Sequence, residues 1–163
     1  MNRIMHFFVC ILSVIALASC ASAPIAPIED RSMQYVHDIE LTKDEIYDIS
    51  LEWMAKTLID TRGVFELKNK DKDKIIGTGQ TYYIKKSFWG PVNVPCRFTV
   101  MVEAKENKYK TTYNNFIGLL GKSNGRLKPV EEKEHIDFVK AKLAIIDDGL
   151  YDYLKKYKSN TNW

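Results

Sequence analysis

Thiols, imidazoles and glycine-flanked hydroxyls are the groups in this sequence that could do chemistry, and each carries a geometric requirement. A nucleophilic cysteine needs a thiolate and a base beside it. Cys96 alternates with Phe98 and Val100 along an extended run, so it points into a core and reads as an inert thiol. Glu131 and His135 stand one helical turn apart, but two donors do not complete a zinc site, so no metal is expected. His37 and Asp38 are neighbours in a strand and point to opposite faces, so they cannot pair with each other. Gly121-Lys122-Ser123 echoes the end of a phosphate-binding loop, yet the position five residues before Gly121 is Phe116, and Asn124-Gly125 continues as a turn where a helix should start. Gly77-Thr78-Gly79 lacks the third glycine of a dinucleotide fingerprint, because that position is Tyr82. No catalytic residue and no cofactor are expected.

Cys20 is different. Arg3 precedes an apolar segment from Ile4 to Ala18, which is shorter than the roughly 20 residues of a membrane span and runs into small residues. This is the shape of an export signal over 1–19. Leu17-Ala18-Ser19-Cys20 resembles the bacterial lipobox, which implies cleavage before Cys20 and thioether-linked lipid on its thiol. At about 0.8 kcal/mol per buried methylene, several acyl chains hold a protein on a membrane. With Cys10 in the signal and Cys20 acylated, Cys96 is the one remaining thiol and no intramolecular disulfide can form. Ala21, in place of Asp, resembles the sorting signal of many Gram-negative lipoproteins and implies the outer membrane, facing the periplasm.

The elements that follow fit one domain. The chain has 163 residues, 45% hydrophobic and 28% charged, and a net charge of +3 that is too weak a field to argue for nucleic acid. Residues 20–32, with Pro24 and Pro27, read as a flexible tether of roughly 35 Å reach. Met33 to Leu41 alternates as a half-buried strand, with Met33, Tyr35, His37 and Ile39 on one face. Thr42-Lys43-Asp44-Glu45 is a capping box opening a helix whose stripe is Ile46, Ile49, Trp53 and Thr57, flanked by Tyr47, Met54 and Leu58, with Gly63 as its stop. Strands are predicted at 64–67, 74–85, 96–104 and 109–113. A last helix is predicted from the Glu131-Glu132 region, with Ile136, Val139, Leu143, Ile146, Leu150, Tyr153 and Tyr157 inward and Gly149 marking a bend.

The first-helix pattern Thr42 to Tyr47, the Ile76-Gly77-Thr78-Gly79 strand, and Cys96-Arg97-Phe98-Thr99-Val100 running into Tyr109-Lys110 resemble a bacterial domain of unknown function with a TBP-like fold, carried on small exported proteins and lipoproteins, over Met33 to Tyr157. The resemblance implies a fold and brings no activity or site residues, and the fold's name carries no DNA-binding implication. The expected architecture is α+β: one curved five-stranded antiparallel sheet in order 1-5-4-3-2 with two helices on one face (β-α-β-β-β-β-α, TBP-like or helix-grip-like). The domain is expected over 33–158, with 159–163 as a tail.

That topology brings three connections, 60–63, 86–95 and 118–128, to one edge. Phe88, Trp89, Leu119 and Leu120 lie in two of them and form the candidate partner-binding surface. The competing reading folds Trp89 back as a plug of the core. The open sheet face with Arg97, Thr99 and Met101 is a second candidate surface. The expected function is a non-catalytic envelope lipoprotein, held to the membrane by its lipid and binding an envelope protein or cell-wall component. The alternative is a carrier of a small apolar ligand between helices and sheet, which would require a real cavity.

Overall fold

The structure, a computed structural model, describes residues 23–58, 65–69, 73–120 and 126–161. The elements run β1 (Met33–Asp38), α1 (Lys43–Thr57), β2 (Phe65–Asn69), β3 (Lys74–Ser87), β4 (Gly90–Lys105), β5 (Lys108–Leu120), β6 (Arg126–Pro129) and α2 (Lys133–Thr161). The antiparallel sheet has the order β1-β5-β4-β3-β2, and β6 pairs with β5 beyond the end of β1, so the two short strands share one edge of β5. Both helices cover the face that carries Cys96, Phe98, Val100, Val102 and Ala104, all buried. This is the expected five-strand open sheet with two helices, with one further short strand.

Local chemistry explains the boundaries. Thr42 Oγ1 accepts from the Glu45 amide (3.3 Å) and the Glu45 carboxylate accepts from the Thr42 amide (2.8 Å), which closes the capping box and starts α1. The helix buries Ile46, Tyr47, Ile49, Ser50, Trp53 and Met54 and ends with the Leu58 amide on the Met54 carbonyl. Thr57 is exposed and Leu58 takes the buried place expected of it, while Gly63 lies outside the described residues.

Three differences matter for function. The segment expected as a loop at 86–95 is instead the top of a long hairpin: Ser87 pairs with Gly90, and Phe88-Trp89 is its two-residue turn. Gly90 adopts φ +109°, a region that favours glycine, and the Ser87 hydroxyl donates to its carbonyl (2.7 Å). β5 runs seven residues past its expected end, because the extra residue Asn115 (φ +54°) shifts the alternation from Tyr113 to Phe116 and Gly118.

The third difference lies at the N-terminal side. From Ala23 on, the stretch expected as tether is docked: Ala26 N donates to Glu131 O (2.7 Å), Lys133 N donates to Pro24 O (2.9 Å), and a 3-10 turn follows at Glu29–Arg31. Arg31 fixes it further, with Nε on the Ala26 carbonyl (3.0 Å) and the guanidinium on Glu131 (2.7 Å). The paired prolines that suggested an open chain leave these amides and carbonyls free to bond to the start of α2. At the other end α2 continues to Thr161, which shortens the expected tail.

Gly79 and Phe98 are cross-strand partners, and a Cβ at Gly79 would fall within 3.0 Å of three ring carbons of the fully buried Phe98. Gly79→Ala is therefore expected to destabilise the domain by about 1–3 kcal/mol, the usual cost of overpacking. Chemical denaturation checks this, and pairing it with Phe98→Leu should recover part of the loss.

Candidate functional site

Two sites emerge, one inside the helix–sheet layer and one at its far tip. The first is built on Asp147. In α2, Ile136, Val139, Leu143, Leu150 and Leu154 form the fully buried stripe, and Asp147 occupies the same stripe between Leu143 and Leu150, with its side chain 1% exposed. Such a carboxylate must be hydrogen-bonded to be tolerated. Its Oδ1 accepts from the Thr111 hydroxyl and from Tyr113 OH (3.0 Å), and its Oδ2 accepts from His37 Nε2 (2.6 Å).

The donors come from adjacent strands because Tyr35 and Thr111 face each other in the β1–β5 register, as do His37 and Tyr109. The His37 ring stacks with Tyr109 (5.0 Å) and Tyr151 (4.9 Å), each within 30° of parallel, with Tyr35 at 6.1 Å. Burial first, then the charge of Asp147, pushes the phenols of Tyr109, Tyr113 and Tyr35 above the ordinary tyrosine range.

Sequence reasoning passed over this cluster. It read His37 only against Asp38, and it assigned Ile146, Tyr153 and Tyr157 to the inward stripe. The first two are half-buried and Tyr157 is exposed. The signal was the spacing itself, since Asp147 stands four residues after Leu143 and three before Leu150.

Chemically, the cluster is a helix-to-sheet tie. Thr111 and Tyr113 are fully buried and donate hydrogen bonds to one carboxylate oxygen, and tyrosine rings stack against the imidazole. It presents no exposed nucleophile. Cys96 is fully buried, and burial pushes its thiol up to about 11. His135, which sequence spacing placed with Glu131, sits against the Tyr83 ring (4.4 Å) with Nδ1 3.3 Å from Glu132. Among the described residues no group of three or more His, Cys, Asp or Glu could hold a metal ion.

The second site is the β3–β4 hairpin tip. Tyr83 and Val94 are the last buried cross-strand pair, and beyond them the hairpin leaves the core. Phe88 and Trp89 stand 93% and 92% exposed at its end, edge to face at 5.3 Å, so Trp89 is not a core plug. Ile84 and Val92, also exposed, lie on the same projecting strands.

The other two expected surface residues are elsewhere. Leu119 pairs with Leu127 of β6, and the backbone of Leu120 pairs with Arg126; the Leu120 side chain lies outside the described residues. Gly118 is opposite Cys96, six residues and about 20 Å down β4 from Gly90, and Leu119 and Leu120 follow it by only one and two residues, still about 13 Å or more short of the tip. The four residues share an end of the sheet without forming one patch. On the open face, Arg97, Thr99 and Met101 are half-buried.

Comparison with known proteins supports the architecture. A crystal structure of a TBP-like protein from Parabacteroides distasonis aligns with a TM-score of 0.58 at 12% identity, covering 80% of this chain and 97% of that one. A crystal structure of a DUF4468 family protein from Bacteroides ovatus aligns with a TM-score of 0.51 at 13% identity, over 63% of this chain and 64% of that chain. At such identities the likeness is one of fold. No curated protein matches. The family model described as "Domain of unknown function (DUF4468) with TBP-like fold" matches residues 36–117, from β1 through most of β5, a narrower stretch than the Met33 to Tyr157 of the sequence resemblance. On that match and the shared topology, the chain belongs to this family of TBP-like domains of unknown function.

Proposed function

We propose that the chain is a lipid-anchored domain of the bacterial envelope that works by docking rather than catalysis, with the β3–β4 hairpin tip as its docking surface. The observation that carries the reading is the pair Phe88 and Trp89, each more than 90% exposed on a hairpin that projects from a filled core. Large side chains fully out in solvent mark binding sites when they cluster. The anchor is supported by Leu17-Ala18-Ser19-Cys20 after its apolar segment. The outer membrane remains the proposed location and an envelope protein or wall component a proposed class of partner. Carriage of an apolar ligand is the second reading, and the buried Phe98, Val100, Met54, Leu143 and Asp147 are what a ligand between helices and sheet would have to displace.

Two measurements test this. Mass spectrometry of the membrane fraction should show the chain beginning at an acylated Cys20, and Cys20→Ala should abolish the acyl mass. A photo-crosslinking residue in place of Trp89 should capture an envelope component in living cells, and one in place of Asn107, at the opposite end of β4, should not. An unmodified Cys20 overturns the anchor. A silent position 89 overturns the docking surface.

A further inference from the structure

We infer that the hairpin tip docks on the lipid bilayer itself, inserting Phe88 and Trp89 into its interfacial region as a second membrane contact. The inference deepens the docking reading above and names what is docked.

The first argument is position. Ala23 and Ile25 lie in one groove with Tyr83, Lys85, Lys128 and His135. The docked N-terminal segment therefore brings the chain to the root of the projecting hairpin. Ala23 is three positions after Cys20, a span of at most about 10 Å. Lys85 is four residues from Trp89, about 13 Å along an extended strand. A lipid on Cys20 thus holds the bilayer surface no farther from the groove than the hairpin itself reaches. A flexible tether over 20–32 would have carried no such information, whereas one that is docked from Ala23 does.

The second argument is chemistry. Tryptophan favours the membrane–water interface, where its ring is apolar and its N–H stays wet, and phenylalanine beside it adds apolar area. Ile25, Ile84 and Val92 are also exposed around the same end. Charge is nearly balanced there: Lys85, Lys86 and Lys128 stand against Glu131, Glu132 and Glu134, with Lys86 bridged to Glu134 (2.9 Å). Apolar insertion, and not attraction to anionic lipid, therefore supplies the contact. A protein partner would more commonly meet a wide patch than a two-residue point on a narrow ribbon.

The test uses the full chain expressed in cells and purified from membranes in detergent, in the N-terminal form the cells leave. Its mass reports separately whether Cys20 is acylated. It is reconstituted into phosphatidylethanolamine–phosphatidylglycerol vesicles with plain or brominated acyl chains, and tryptophan emission is compared between the two. Trp53 is buried, and Trp163 serves as a common background in every variant. The wild-type chain should lose emission in brominated vesicles, and Trp89→Ser should lose at least two-fold less. Phe88→Ser, which keeps the reporter, should show intermediate quenching. Both positions are in an exposed turn, so melting midpoints should match the wild type and confirm folding. No quenching in the wild type, or equal quenching in wild type and Trp89→Ser, overturns the inference and leaves the tip to a protein or wall partner.

Discussion

Replacing Asp147 by Ala is expected to lower the unfolding free energy by about 3 kcal/mol. The buried carboxylate accepts from Thr111, Tyr113 and His37, and removing it takes the acceptor from two fully buried hydroxyls and one ring nitrogen. Breaking a buried pair from one side costs about 3–5 kcal/mol. The lower end applies because the His37 side chain is 19% exposed and water can reach it. Thr111→Val, which leaves Asp147 two donors, should cost only about 1 kcal/mol. Denaturant titration of both variants decides the matter, and a loss below 1 kcal/mol for Asp147→Ala would show that the cluster is not the tie described.

The same cluster is expected to lose stability at alkaline pH. Tyr109 and Tyr113 have phenols raised above their ordinary value, first by burial and then by the Asp147 charge. Above about pH 10 the unfolded chain gives up these protons while the folded chain keeps them. Their contribution to stability is therefore complete below pH 10 and is lost as pH rises further. Without the Asp147 charge, less should be lost over the same range.

The legibility of this fold in the sequence followed the regularity of its alternation. Cys96 to Ala104 keeps strict period two in burial, and Tyr109, Thr111 and Tyr113 share one buried face of the next strand, so strand pairing and order follow with short connections. Where one residue breaks the period, reading stopped. Asn115 inserts a bulge, Phe116 and Gly118 change phase, and both the far half of β5 and its partner β6 went unseen. The hairpin was hidden differently, because Lys85 to Asn93 is exposed on both faces and so carries no periodic signal at all. A polar residue in an apolar stripe is the third kind of gap: hydrophobic periodicity skips Asp147, although its spacing fits the stripe better than that of Ile146. Both candidate sites therefore lie where the sequence departs from simple patterning, as expected when local rules yield to tertiary contacts.

Trp53 tests how the two helices are fastened. It is buried on the inner face of α1, and its Cζ2 lies 3.6 Å from where a Cβ would stand on Gly149 of α2. Val100 is buried on the sheet face that the helices cover, but the indole extends to the second helix. Gly149, read from sequence as a bend, lies in a helix that runs unbroken from Lys133 to Thr161 and forms the seat for this ring. Trp53→Ala should cost about 3–5 kcal/mol, since the lost burial is compounded by a cavity that neither helix can close alone. Gly149→Ala should do the opposite: 3.6 Å is an ordinary van der Waals contact, so the methyl fits against the ring. Alanine in a helix interior is favoured over glycine by up to about 1 kcal/mol. Because that gain comes from the helix backbone, its sign should persist when Trp53→Ala is combined with it, while the contact between the two sites should appear as a coupling of about 0.5 kcal/mol or more. Calorimetry of the three variants separates the cases. A Gly149→Ala variant less stable than the wild type would mean that the indole is seated more tightly than 3.6 Å and that the glycine is required, as Gly79 is under Phe98.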